Sequence, residues 1–126
     1  MSIATEFGDQ CRFAGFVCKG KYIVTYNDAG TFATHNSNTF EKIDELELYT
    51  RKDIITVSNS KVICAYIGGR LISVITIREN GTIYLASTNV VDIGITDMSS
   101  SGDVLAVLFD NGDFTFFNMY FVLAGI

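Results

Sequence analysis

The sequence has one imidazole, His35, in the stretch Thr34-His35-Asn36-Ser37-Asn38, so any Ser-His-Asp or Cys-His arrangement would have to run through it. That stretch reads as a turn or strand end, where a solvated or locally hydrogen-bonded histidine is expected. A zinc site would need Cys11, Cys18, Cys64 and His35 together. No CxxC pair is present to start one, and the odd cysteine count fits free buried thiols in a reducing compartment. Carboxylates are plentiful but fall where turns want them, with Asp28, Asp110 and Asp113 at hairpin tips. Asp110-Asn111-Gly112-Asp113 lacks the run of ligands that a calcium loop needs. Glu41, Asp44, Glu45 and Glu47 read as a solvated face. No glycine-rich phosphate loop occurs. Ser99–Ser101 could accept phosphate and Asn80-Gly81-Thr82 is a formal sequon, but both read first as turns. The expectation is a protein that is not an enzyme and has no cofactor and no metal.

What remains is recognition. Contact residues are expected at hairpin tips, namely Asp110, Asn111 and Asp113, with Arg70, Arg78 and Tyr49. Were the chain to hold an anion, Arg70, Arg78 and Lys61 would contact it. Residues for assembly are expected near the last strands, at Phe114, Phe116, Tyr120 and Phe121.

Composition bounds the partners. The chain of 126 residues suits one domain, expected to span 1–126. It is 48% apolar and only 18% charged, with a mean hydropathy of +0.30. That is high for a monomer in water and suggests apolar surface buried against a partner. Net charge is −5 and the pI about 4.6, the wrong sign for gripping a phosphate backbone, so nucleic acid is not an expected partner. No apolar run reaches the ~18 residues of a membrane span. With no secretory signal pattern at the start, the expected location is cytoplasmic.

The elements that would position these residues repeat. "KYIVTYNDAGTFATHN" from Lys21, "KVICAYIGGRLISVIT" from Lys61 and "DVLAVLFDNGDFTFFN" from Asp103 each give an apolar run, a glycine-bearing turn and a second β-rich run. The turn glycines Gly30, Gly69 and Gly112 keep register. A strand is predicted before each hairpin, at 11–17, 53–58 and 91–98, and another after it, at 40–48, 81–87 and 119–125. Polar turns separate the first two strands of each unit, the third being Ser99–Asp103. The units run roughly 8–48, 49–88 and 89–126. Residues 39–52 could instead form a helix, with Phe40 and Ile43 on one stripe after an Asn38 cap.

"VLAVLF", "VICAYI" and "ISVITI" lack a polar side, and such strands are expected to be buried on both faces. Four strands in about 42 residues, three times over, fits two all-β folds. Propeller blades cover their inner strands on both faces. A β-trefoil uses three such repeats in one closed barrel. The pattern Ser99–Asp103, Val104–Phe109, Asp110–Gly112 resembles blades of the WD40-like propeller superfamily, although no Trp-Asp dipeptide is present. The resemblance implies propeller-like blades, with the β-trefoil as the rival. Typical propellers need four to eight blades to close, so three would leave an open end. The function expected is a non-enzymatic interaction or scaffold module, a partial propeller completed by its own copies or by a partner subunit. The alternatives are a small-ligand or carbohydrate-binding trefoil and an acidic inhibitor or immunity-type protein.

Overall fold

A computed structural model describes residues 11–48 and 51–119. They form eleven strands: β1 Cys11–Val17, β2 Tyr22–Asn27, β3 Thr31–Asn36, β4 Lys42–Glu47, β5 Ile54–Ser58, β6 Lys61–Ala65, β7 Leu71–Ile77, β8 Ile83–Val90, β9 Ile95–Ser101, β10 Val104–Phe109 and β11 Phe114–Asn118. Val, Ile, Thr, Tyr and Phe dominate them, side chains that fit a pleated, half-buried surface. Each strand pairs antiparallel with its chain neighbour, giving three sheets ordered β1-β2-β3-β4, β5-β6-β7-β8 and β9-β10-β11. The inner strand β5 lies between β1 and β9, and the outer strands β4 and β8 also meet. The sheets therefore fan about the line of their inner strands, as blades do. Three separate sheets are not the single closed barrel of a trefoil, and that rival falls. No helix among the described residues is long and apolar enough to cross a membrane.

One core lies between the first and second sheets, around Val24, Phe32, Val62, Cys64 and Ile75. The other lies between the second and third, around Ile63, Val74, Ile95, Leu105 and Val107. The middle sheet is thus buried on both sides, and Val62, Ile63, Cys64 and Ala65 are all at 0% exposure. This is the expected fate of an unbroken apolar strand.

Several sequence expectations need correction. Ser99–Ser101 is no turn: it ends β9, paired with Val104–Ala106, and the turn is Gly102-Asp103 alone. Its serine hydroxyl is used across the seam, Ser100 donating to the Val57 carbonyl at 3.0 Å. Residues 42–47 are strand, not helix; the chain enters through Phe40 at φ 64°, a backbone no helix continues. The repeat of positive-φ glycines runs through Gly30, Gly68 and Gly112, so Gly68 and not Gly69 holds that place in the longer second hairpin. The predicted strand 119–125 lies almost wholly outside the described residues.

Candidate functional site

One end of the fan is the third sheet. Its hairpin comes from "VLAVLF" and "FTFFN" about the Asp-Asn-Gly-Asp turn. Alternation along the pleat sends Leu105 and Val107 into the core and Val104, Ala106 and Leu108 to the other face. The register sets Phe114 opposite Leu108 and Phe116 opposite Ala106 on that same face. Phe114 and Phe116 are 67% and 66% exposed, Val104 47% and Leu108 40%. The two phenyl rings sit edge to face with centroids 5.6 Å apart. Toward the inner strand the face turns polar, with Asp97, Ser99 and Ser101 exposed. The expectation that "VLAVLF" is buried on both sides fails here for a physical reason: among the described residues no fourth sheet packs against it.

The far end of the fan is mixed, with Phe16 65% exposed on the outer face of the first sheet. On the side of the first sheet away from the core, Thr25, Ala33 and His35 are buried. The Thr25 hydroxyl and His35 Nε2 lie 3.1 Å apart. Burial holds the His35 imidazole below the usual histidine range and nearby Lys42 adds to this, while the Phe40 backbone works against it. His35 is thus a buried histidine rather than the solvated one expected at a turn. Cys64 is fully buried and its thiol is pushed up to about 12, so it is no nucleophile. No group of three or more metal-ligating side chains gathers among the described residues.

The expected contact residues scatter. Asp110 is engaged within the fold: its carboxylate accepts from the Thr96 hydroxyl at 2.8 Å and its amide donates to Gly94 at 2.9 Å. Asn111 and Asp113 are exposed and bond to each other across the tip. Arg70 and Arg78 stand at opposite ends of β7, separated by roughly 25 Å of strand. Lys61 shares the Arg78 end, since it pairs with Thr76. The three do not make one anion site. Arg78 instead lies over the Tyr84 ring, 4.0 Å from its centroid. Tyr49, Tyr120 and Phe121 lie outside the described residues.

Sequence reasoning missed what surrounds Arg70. Hairpin loops and the links between sheets share one end of the fan. There Arg51, Lys52, Tyr66, Gly69, Arg70 and Leu71 line an open cleft of about 360 Å³. Arg51 pairs with Asp53 at 2.7 Å, and Asp53 also accepts the Ile67 amide at 3.2 Å. Lys52 is only 5% exposed. In the sequence Lys52 is only the end of the stretch 39–52 considered as a helix, and no local pattern marks it as buried.

No family model and no curated protein matches the sequence. The fold does match solved structures. One is the beta-propeller domain of Cps50 (Swd1) from Myceliophteria thermophila, with a TM-score of 0.66 and 10% identity over 92% of this chain. Another comes from the structure of the Mitotic Checkpoint Complex, with a TM-score of 0.71 and 9% identity over 95% of this chain. The likeness shows an all-β, propeller-like fold. The chain spans 38% and 41% of those two chains.

Proposed function

We propose that this chain is a non-enzymatic protein-interaction module, a partial propeller that completes its fold by packing the open face of its third sheet against a sheet of another chain. The observation that carries this is the exposed Val104, Leu108, Phe114 and Phe116 surface on one face of the β10–β11 hairpin. Fully burying one such side chain is worth about 1.5–3 kcal/mol, so four together suffice to drive association. The free cysteines Cys11, Cys18 and Cys64 fit a reducing compartment such as the cytoplasm.

Light scattering after size exclusion, over a dilution series, tests it. A persistent dimer, or aggregation cured by a defined partner subunit, supports the proposal if Phe116→Asp abolishes either. A monodisperse, stable monomer that Phe116→Asp leaves unchanged overturns it.

A further inference from the structure

We infer that the cleft between the link from β4 to β5 and the hairpin joining β6 to β7 binds a phosphate monoester. The case starts from Lys52. Its ammonium is buried, and among the described residues its one hydrogen bond is to the Ser73 hydroxyl, at 3.4 Å, a neutral group. It makes no ion pair there. A buried ammonium without a counter-charge is costly, and proteins keep one where something anionic arrives. The neighbouring Cys64 cannot supply that charge, because burial keeps its thiol protonated even beside Lys52.

The walls extend the argument. Arg51 is matched by Asp53, so it adds no net charge. Arg70 is exposed on the cleft wall and makes no ion pair among the described residues. Among the described residues, Lys52 and Arg70 line the one cavity with no ion pair to balance either. A phosphate monoester carries about −1.5 to −2 at neutral pH and offers three acceptor oxygens. The Arg70 fork suits two of them and the Lys52 point charge a third. Tyr66 and Leu71, 52% and 43% exposed at the mouth, offer a flat apolar wall for the body that carries the phosphate. None of its lining residues belongs to the third sheet's open face.

Titration calorimetry on the full chain with phenyl phosphate, inorganic phosphate and benzoate decides it. Phenyl phosphate binds one to one, more tightly than either of the others, and weakens as salt rises. Arg70→Ala weakens it at least about tenfold, the loss of a charge-assisted bond. Lys52→Met abolishes it while the chain still melts cooperatively; should that variant fail to fold, the exposed Arg70→Ala decides alone. Benzoate binding as tightly overturns the phosphate, inorganic phosphate binding as tightly overturns the ester, and no saturable binding, or binding indifferent to Arg70→Ala, overturns the site.

Discussion

The hydroxyls of Thr56 and Ser100 meet at 2.7 Å across the seam between β5 and β9. Ser100 spends its own proton on the Val57 carbonyl at 3.0 Å, so Thr56 is the donor in the pair. A two-step relay thus joins the inner strands of the second and third sheets. Ser100→Ala removes its middle and strands the Thr56 hydroxyl in a half-buried place. The expected loss is about 1–3 kcal/mol, read as a lower urea midpoint at unchanged slope.

Gly94 sits where two loops close on each other. A Cβ there would run into the Asp110 carboxylate and come within 2.8 Å of the Gly68 carbonyl oxygen. The carboxylate can swing away only by giving up Thr96, and the carbonyl is backbone. Gly94→Ala is expected to cost about 1–3 kcal/mol by overpacking, measured by chemical denaturation.

His35 gives the fold an acid dependence. Its folded-state pKa lies below the unfolded value of about 6.5, so the unfolded chain takes up the proton first. Its contribution to stability is full above that value and is lost as pH falls from there through the folded pKa. Urea midpoints should therefore drop between pH 7.5 and 5.5, and His35→Gln should flatten that part of the profile.

The three thiols should separate by reactivity. Cys11 is exposed, Cys18 is half-buried with its thiol raised by burial, and Cys64 is buried. In native buffer iodoacetamide is expected to label Cys11 first and to spare Cys64, which reacts only in denaturant. Mass spectrometry of the labelled chain at timed intervals checks the order.

Phe114 and Phe116 test the exposed hairpin from the other side. A Phe116→Asp variant gives up no core packing, so its melting temperature as an isolated chain should hold or rise. Its tendency to associate should fall by at least tenfold, since burying one such side chain is worth about 1.5–3 kcal/mol. Sedimentation velocity at several concentrations reads both the loss and its size.

Much of the fold was legible because the strands announce themselves. Apolar runs closed by Asp-Ala-Gly and Asp-Asn-Gly gave the first and third hairpins, and the lack of a polar side in "VICAYI" and "ISVITI" pointed to sheets stacked on both faces. The same logic misjudged "VLAVLF", because the pattern records what a strand can bury and not whether a neighbour is there to bury it. Ser99–Ser101 misled because serine serves a turn and an inter-strand hydroxyl bond equally well. The cleft was illegible for another reason. Lys52 is buried by Ser73 and Tyr26, residues more than twenty positions away, and nothing in its own stretch of sequence tells a solvated lysine from an entombed one.

Both ends of the fan carry a bare aromatic, and this sets a valence. At one end Phe16 is 65% exposed on the same outer face as the buried Thr25; at the other Phe114 and Phe116 are 67% and 66% exposed. A unit with one adhesive face is monofunctional in the polymer chemist's sense: it can pair or cap. A unit with two is bifunctional, and where the two faces are complementary it closes into a ring or grows into a fibre according to the angle between them. A charge placed at Phe16 would leave one such face and hold any assembly at pairs.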